Sequence, residues 1–304
     1  MNELYYLREG DRVALVAPAR AVSREEMLPA IETLQSWGLK VVEPKGLYKR
    51  DGQLAGSDKH RAALLQQQLD DPTIRAIICC RGGYGTVRII DRLDFTQFAK
   101  HPKWIVGYSD ITVLHSHIHR HLGLPTLHAT MPINFTHTPS PATESLKQFL
   151  FGKNRDIVDY EWESTKMNRK GEAYAPVVGG NLSILYSLCG STSQIDTRGK
   201  ILLIEDLDEY LYHIDRMMQG LKRCGMLDGL AGLIVGGLND MHDNTIPFGM
   251  TAEEIVADAV AGQTYPVAFN APFGHLGNNN LAIPLGIKCN FVVTKSKEVR
   301  IFAP

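Results

Sequence analysis

Short apolar runs alternate with amphipathic stretches along the first 130 residues, and this alternation restricts the possible folds more than any other feature of the chain. Helices are predicted after an N-cap at Ser23, which has Glu26 three residues later, and from Ser57 or Asp58. Strands that alternate with helices form crossover units, so the pattern predicts an α/β domain with a largely parallel sheet covered on both faces. The five apolar runs with the length of buried strands are 12–17, 39–42, 75–80, 104–107 and 125–128.

The alternation weakens after residue 138, where proline-rich and charged segments take its place. Apolar runs and helical stretches resume near residue 179 and continue to the end of the chain. We therefore expect an N-terminal domain over 1–150, a connecting region over 151–175 and a second domain over 176–304. The elements predicted in the second domain are strands at 200–206, 232–236, 266–270, 289–294 and 298–302, and helices at 213–224 and 251–261.

The 304 residues are 44% apolar and 21% charged, a globular composition that excludes a disordered or fibrous protein. The 32 Lys and Arg against 33 Asp and Glu give a net charge of −1 without a basic stripe, so a small-molecule partner is expected rather than nucleic acid. Five scattered cysteines without a C-x-x-C motif indicate free thiols in a reducing compartment. Because the chain shows neither a signal-peptide pattern nor an apolar run long enough for a membrane span, we expect a cytoplasmic protein without membrane contact.

Polar clusters follow three of the apolar runs, at the strand ends where ligands gather in open parallel sheets. The first is Arg-Gly-Gly-Tyr-Gly at 81–85, whose consecutive glycines leave N–H groups accessible to an anion or an oxyanion. It lacks the glycine spacing of a dinucleotide-binding loop and the lysine of a P-loop. A tight turn between a strand and a helix explains the same glycines without a ligand.

The second cluster places Ser109 directly after the apolar run 104–107, which is where a strand–turn–helix presents a nucleophile. The Gly-x-Ser-x-Gly elbow requires glycine two residues after the serine, and Ile111 stands there instead. Under the alternative interpretation, Ser109 or Asp110 only caps the next helix. The third cluster brings Glu205 to the end of a strand, either to orient a histidine or as a solvated loop acid.

Histidines supply further candidates. His275 lies in the glycine-flanked segment Ala-Pro-Phe-Gly-His-Leu-Gly, which suits a buried structural histidine as well as a catalytic base. Four others form two i,i+4 pairs on a predicted helix, a spacing that metal ligands use, but without the glutamate of a His-Glu-x-x-His motif. A polar helix face is the alternative for these four, which are His115, His117, His119 and His121.

Five motifs, taken together and in order, resemble those of the LD-carboxypeptidase family, and the resemblance covers essentially the whole chain. That family contains muramoyltetrapeptide carboxypeptidases of peptidoglycan recycling and microcin-C immunity peptidases. The motifs are Arg-Gly-Gly-Tyr-Gly at 81–85, Gly-Tyr-Ser-Asp at 107–110, Gly-Gly-Asn-Leu at 179–182, Leu-Ile-Glu-Asp at 203–206 and Phe-Gly-His at 273–275.

The resemblance implies an N-terminal amidotransferase-like α/β domain, a smaller C-terminal α+β domain and a homodimer. It implies a serine peptidase in which Ser109 is the nucleophile, His275 the general base and Glu205 its orienting partner. We expect neither a metal nor a cofactor, because the sequence has no His-Glu-x-x-His motif and no cysteine-rich ligand set. The family's oxyanion hole maps to the backbone N–H groups of Gly83 and Asp110. We add three candidates for substrate binding, which are Arg81, Tyr84 and Asn181.

The expected activity is hydrolysis of an L,D-peptide bond that releases terminal D-alanine from a muropeptide tetrapeptide. The alternative within the family is cleavage of a peptidyl-nucleotide amide, as in microcin-C immunity, and the polar stretch 162–171 is a candidate for the loop that separates the two specificities. A non-catalytic binding protein that uses the same cleft, and a metal-dependent hydrolase built on the histidines at 115–121, are the alternatives from other classes.

Overall fold

The structure is a computed structural model that describes residues 6–152, 159–163, 165–294 and 298–302. All five strands predicted in the first 130 residues are confirmed, with bounds that differ by one residue at most from those expected. The helices predicted after Ser23, from Ser57 or Asp58 and around the four histidines at 115–121 are confirmed as well. The strands β1 to β13 are Arg12–Val16, Lys40–Val42, Ile74–Cys79, Trp104–Gly107, Thr126–His128, Asp159–Glu163, Gly171–Asn181, Ile201–Leu207, Gly232–Asn239, Val267–Ala268, Ile283–Leu285, Lys288–Val293 and Glu298–Phe302. The helices α1 to α8 are Arg24–Ser36, Asp58–Asp70, Thr96–Lys100, Thr112–Leu122, Pro141–Phe151, Leu182–Ser187, Leu211–Arg223 and Ala252–Ala259.

The first sheet has the strand order β11-β5-β4-β3-β1-β2, and all of its strands except β11 run parallel. Successive residues of β3 pack on opposite faces, because side chains alternate along a strand. Ile78 joins the hydrophobic cluster that contains α1, whereas Ile77 joins the one that contains α2 and α4. The sheet is therefore covered on both faces, and the loops after β1, β3 and β4 all leave from its carboxyl edge.

The second sheet has the order β10-β9-β8-β7-β12-β13-β6 and combines two kinds of pairing. Strands β7 to β10 pair in parallel, whereas β7, β12, β13 and β6 pair antiparallel. This mixed sheet, with α6, α7 and α8 beside its parallel part, is the α+β region that the resemblance implies.

The region 151–175, interpreted from the sequence as a connection, contributes strands to this sheet. It contains β6 and the first residues of β7, and β6 pairs with β13. The sequence of β6 is Asp-Tyr-Glu-Trp-Glu, and alternate residues are exposed because the strand lies at the sheet edge. The charged residues hide the period-two pattern, so the sequence predicts a polar connection where the structure has a strand.

Strand β11 returns from the C-terminal part of the chain to the first sheet, where it pairs antiparallel with β5. The segment between β10 and β11 therefore crosses from the second sheet to the first, and this segment carries His275. The predicted domain limits at 150 and 176 stay a prediction, because β11 lies after residue 176 in sequence but pairs in the first sheet. In the part of the chain that the structure describes, no helix has the length and apolar character of a membrane span.

Candidate active site

Ser109 lies immediately after β4, in a tight turn that leads into α4. Its φ is 62°, in the left-handed region that side chains other than glycine adopt only at a cost. A serine in a strained turn between a strand and a helix is the arrangement that exposes a nucleophile in α/β-hydrolases. Ser109 is partly exposed here, so its hydroxyl is within reach of a ligand.

Gly82, in the loop after β3, packs directly against this serine. A Cβ atom at Gly82 would lie 2.9 Å from the Cβ and 3.0 Å from the Oγ of Ser109, and 3.4 Å from the backbone nitrogen of Asp110. Only glycine permits an approach this close. The close neighbour of the serine thus comes from the loop after the adjacent strand β3. The side chain of Ile111, at the position where the Gly-x-Ser-x-Gly elbow has glycine, packs instead against Gly107, where a Cβ would lie 2.9 Å from its Cγ1.

Glu205 and His275 form a buried pair. The Nδ1 atom of His275 lies 2.6 Å from Oε2 of Glu205, whose side chain is fully buried, while the histidine side chain is 13% exposed. Since an ionised carboxylate only accepts hydrogen bonds, Nδ1 carries the proton and Nε2 is left as an acceptor. This tautomer is the one that a general base requires.

Glycine and two asparagines hold the histidine loop on the carboxylate. A Cβ at Gly274, whose φ is +99°, would lie 2.6 Å from Oε2 of Glu205, so a side chain there would displace the acid. The Gly274 N–H donates to Oδ1 of Asn280 over 2.9 Å, and Nδ2 of Asn239 donates to the carbonyl of His275 over 2.5 Å. These bonds fix the backbone on both sides of the imidazole.

The pair perturbs the pKa values of both partners in opposite directions. Burial alone would raise the pKa of Glu205, but the positive charge of protonated His275, together with His128, holds it well below its usual range. Burial alone would lower the pKa of His275, but the charge and hydrogen bond of Glu205 raise it above its ordinary value. Burial and the neighbouring Glu205 raise the pKa of Asp206 to about 6.

Contacts between the two parts of the chain bring the serine turn to this pair. The ring of Tyr108, the residue before Ser109, lies 4.8 Å from the His275 ring. On the other side of the turn, the backbone N–H of Asn181 donates to Oγ1 of Thr112 over 3.0 Å. The structure therefore gathers the three residues predicted as a triad at one junction, although they are distant in sequence.

The two residues predicted for the oxyanion hole are neighbours in the chain of Gly82 and Ser109, which are in contact with each other. Gly83 adopts φ +101°, and the Asp110 carboxylate accepts from the N–H of Thr86 over 2.8 Å. Burial raises the pKa of Asp110 above its usual range. By holding Thr86, the Asp110 side chain ties the loop after β3 to the serine turn, which keeps Gly82 and Gly83 in place.

The three residues predicted to bind substrate have different surroundings. Arg81 is half-buried and lies 3.7 Å from a carboxylate oxygen of Glu26, whereas Tyr84 is 46% exposed on the same loop. Asn181 is buried, caps α6 and donates to Oδ1 of Asp206 over 2.9 Å. The side chain of Asn181 thereby holds the residue next to Glu205, and its contact with substrate stays a prediction.

Two of the four histidines of α4 make hydrogen-bond contacts, and these go to different residues. The Nε2 atom of His115 lies 2.9 Å from the Gly107 carbonyl, and Nδ1 of His117 lies 2.9 Å from Oγ of Ser193. Only the rings of His117 and His121 meet, at 4.3 Å. Over residues 6–152, 159–163, 165–294 and 298–302, no three His, Cys, Asp or Glu side chains are grouped as metal ligands.

Two side chains beside this site were not singled out from the sequence. His128 ends β5 and faces Glu205, with Nε2 3.9 Å from Oε1. Arg20 is an exposed residue in the otherwise largely buried loop after β1 and lies against Gly83, where a Cβ would be 2.6 Å from its Cγ. His128 is the last residue of a parallel strand and Arg20 follows another, so both lie at the carboxyl edge of the sheet, and this position is the signal that could identify them.

Two family models match the chain. The LD-carboxypeptidase N-terminal domain matches residues 13–129, and the LD-carboxypeptidase C-terminal domain matches residues 174–291. The chain belongs to the LD-carboxypeptidase family. The resemblance seen in five motifs is confirmed, and the family assignment makes this protein a serine-type carboxypeptidase.

The sequence of this LD-carboxypeptidase aligns with curated relatives over nearly their full length. It is 36% identical over 291 residues to the "Probable murein peptide carboxypeptidase" of Bacillus subtilis (strain 168), with 93% of this chain and 89% of the relative covered. It is 28% identical over 287 residues to the "Murein tetrapeptide carboxypeptidase" of Pseudomonas aeruginosa, with 90% of this chain and 91% of the relative covered.

Solved structures share the fold of this LD-carboxypeptidase. The muramoyltetrapeptide carboxypeptidase of Oxalobacter formigenes has a TM-score of 0.86 at 24% identity, covering 96% of this chain and 98% of that one. MccF in complex with glutamyl sulfamoyl guanosine has a TM-score of 0.85 at 24% identity, covering 98% of both chains. At this identity the likeness establishes the two-domain α/β fold and no more.

Proposed function

We propose that this protein hydrolyses the L,D-peptide bond before a C-terminal D-amino acid and releases D-alanine from muropeptide tetrapeptides in peptidoglycan recycling. The observation that carries the proposal is the buried Glu205–His275 pair beside the strained turn of Ser109, in a chain of this family. The names of two curated relatives, which refer to murein peptides, support the choice of substrate.

In the proposed reaction, Oγ of Ser109 attacks the carbonyl carbon of the scissile bond, and Nε2 of His275 takes the serine proton. Glu205 holds the imidazole in the required tautomer and stabilises its positive charge. The backbone N–H groups of Gly83 and Asp110 stabilise the negative oxygen of the tetrahedral intermediate. His275 then protonates the leaving amine of the D-amino acid, and water hydrolyses the acyl-serine with the same histidine as base.

Recognition of a C-terminal residue requires a cation for its free carboxylate. Two arginines border the oxyanion loop, and they differ in how they are paired. Arg81 is engaged by Glu26 at 3.7 Å, whereas within the described residues Arg20 has no ion pair and is exposed. We assign the carboxylate mainly to Arg20, with Arg81 and the exposed Tyr84, which lie on the loop that Arg20 contacts, as further candidates. A contact between the buried Asn181 and substrate is also proposed.

Replacing either arginine by alanine tests this assignment. Arg20→Ala should raise KM about tenfold with little change in kcat, because its guanidinium binds the ground state and the transition state alike. Arg81→Ala should have a smaller effect.

The candidate specificity loop at 162–171 packs on the second sheet. The indole N–H of Trp162 donates to the Phe269 carbonyl over 2.9 Å, and Arg169 and Val267 exchange backbone hydrogen bonds of 2.9 and 3.0 Å. Residue 164 lies outside the described residues. We propose that this stretch borders the peptide side of the substrate, and a preference for nucleotide amides is the alternative that an assay decides.

The cellular setting is also part of the proposal. We place the protein in the cytoplasm, as a homodimer that needs no metal or cofactor and binds neither nucleic acid nor membrane. Support comes from five free cysteine thiols, three of them buried, which suit a reducing compartment. Light scattering of the purified protein would test the dimer.

Mass spectrometry of a muropeptide tetrapeptide incubated with the protein tests the proposed function. We expect loss of one alanine residue with wild-type protein and no loss with Ser109→Ala. An unchanged tetrapeptide, together with hydrolysis of an aminoacyl-nucleotide amide, would assign the protein to the immunity-peptidase branch. Equal turnover by Ser109→Ala would remove the serine mechanism.

A further inference from the structure

We infer that His128 is a positioning residue for the Glu205–His275 pair and binds the carboxylate oxygen that His275 leaves free. The inference deepens the proposed function and rests on it for its catalytic meaning. It concerns a second histidine, on a different strand and in a different sheet from the acid that it holds.

The unused hydrogen-bonding groups of the two residues face each other in the interior. Both side chains are 0% exposed, and Nε2 of His128 lies 3.9 Å from Oε1 of Glu205. Oε2 is occupied by His275 at 2.6 Å, while among the described residues Oε1 and both ring nitrogens of His128 have no hydrogen-bond partner. Buried polar atoms without partners are costly, and here a donor and an acceptor need to approach by only about 1 Å to satisfy each other.

The position of His128 allows this contact to link the two sheets. In the first sheet His128 pairs with Gly107, the last residue of β4 and two residues before Ser109. Glu205 belongs to β8 in the second sheet. A bond from His128 to Glu205 therefore connects the carboxylate to β4 and β5, the strand pair that leads to the nucleophile. This bond would fix the position of the carboxylate relative to Ser109.

The surroundings of Glu205 favour a second hydrogen-bond donor, besides His275, for its ionised carboxylate. On one side its neighbour Asp206 is a buried acid, which disfavours a second negative charge. On another side the ring of Tyr108 lies 5.8 Å from the His128 ring and 4.8 Å from the His275 ring, and it shields the pair from water. The Tyr108 hydroxyl is itself an acceptor for Nδ2 of Asn134 at 2.8 Å. His128 and His275 are thus the groups that stabilise the ionised form of Glu205.

Loss of His128 should shift the pKa of His275 in a predictable direction. Without its donor, the negative charge of Glu205 falls wholly on His275 and stabilises the protonated imidazole further. The pKa of His275 should therefore rise. The sign is the same whether His128 is neutral or protonated, because a hydrogen-bond donor and a cation both draw the carboxylate charge away from His275.

His128→Leu and His128→Gln separate positioning from packing, since leucine fills the space without a donor and glutamine supplies an amide N–H near the Nε2 position. In protein without substrate, NMR titration should show the pKa of His275 raised by about 0.5 in His128→Leu and close to wild type in His128→Gln. Turnover of a tetrapeptide should fall by about 10- to 100-fold in the leucine variant and recover with glutamine. His119→Leu is the matched control, because Nδ1 of His119 is also buried without a partner among the described residues.

An unchanged pKa of His275 in folded His128→Leu, or equal effects of leucine and glutamine, would overturn the inference. Where the leucine variant does not fold, ¹⁵N shifts of wild-type protein decide: a neutral His128 protonated on Nδ1 alone would contradict the proposal, and an Nε2–H signal that moves in Glu205→Gln would support it. Because the titration needs no turnover, a shifted pKa without D-alanine release would reject the proposed function and retain the positioning role.

Discussion

Nδ1 of His275 lies 2.6 Å from Oε2 of Glu205, and this contact joins a loop that crosses between the two sheets to a strand in the core of the second. Because Glu205 is fully buried, its negative charge is weakly screened where it meets the imidazole, so it outweighs the effect of burial and raises the pKa of His275. Because Nδ1 is occupied by Glu205, Nε2 is the histidine nitrogen left to act as a base.

The pH dependence of catalysis should reveal the effect of Glu205 on the pKa of His275. The raised pKa of His275 predicts that kcat/KM of wild-type protein falls as the pH drops through a value above 6.5, where the base becomes protonated. In Glu205→Gln, burial acts without the opposing charge, so this limb should move to lower pH while kcat falls by about 10⁴-fold. A profile of Glu205→Gln with the limb at or above the wild-type position would contradict the assignment of the shift.

Strain at Ser109 should be measurable as stability. Ser109→Gly removes both the hydroxyl and the cost of a side chain at φ 62°, so this variant should be inactive and yet more stable than wild type by about 1 kcal/mol. Ser109→Ala is the matched control, since it is inactive but keeps a Cβ in the same conformation. Denaturant unfolding that ranks Ser109→Gly below Ser109→Ala would show that the turn is not strained.

Close contact at Gly82 should be needed for activity rather than for folding alone. Gly82→Ala places a Cβ 2.9 Å from that of Ser109, and a shift of the serine by about 1 Å should lower kcat about 100-fold. Gly262→Ala serves as the control, because no atom lies within 4 Å of a Cβ there. Steady-state kinetics in which both variants match wild type would remove the role of Gly82 in placing the nucleophile.

Chelation should leave the activity intact, because the proposed chemistry uses a serine, a histidine and backbone donors. Prolonged treatment with a chelator, followed by measurement of turnover and of bound zinc, checks this expectation. Activity that disappears with the metal and returns with a divalent cation would transfer the mechanism to the histidines of α4, above all to His117 and His121, whose ring centroids lie 4.3 Å apart.

The sequence predicted those features that depend on local pattern. Strands β3 and β4 are short apolar runs, so their positions and the loops after them followed directly. Strand β6 was missed because its charged, edge-exposed residues resemble a polar connection. Strand β11, three residues with a central proline, carries too weak a local pattern to reveal its return to the first sheet.

The candidate site likewise contains residues that local motifs predict and residues that they do not. Ser109, Glu205 and His275 were predicted from ordered motifs, although their meeting depends on the crossing segment between the sheets. His128 and Arg20 were missed because nothing in the local sequence relates His128 to a carboxylate 77 positions later or Arg20 to the glycines at 82 and 83. Contacts of this kind arise from strand order, which periodicity does not encode.

The stereochemistry of the released residue tests the central claim most directly. Two tetrapeptides that differ only in the configuration of the terminal alanine, after L-diaminopimelate or L-lysine, would be incubated side by side with wild-type protein and with Ser109→Ala, and free alanine would be followed by chromatography. The account predicts release from the D-ending peptide at least about 100-fold faster than from the L-ending one, because inversion moves the carboxylate and the methyl group to different walls of the cleft. Release should be absent with Ser109→Ala. Equal rates for the two peptides, or cleavage of the L-ending peptide alone, would contradict it.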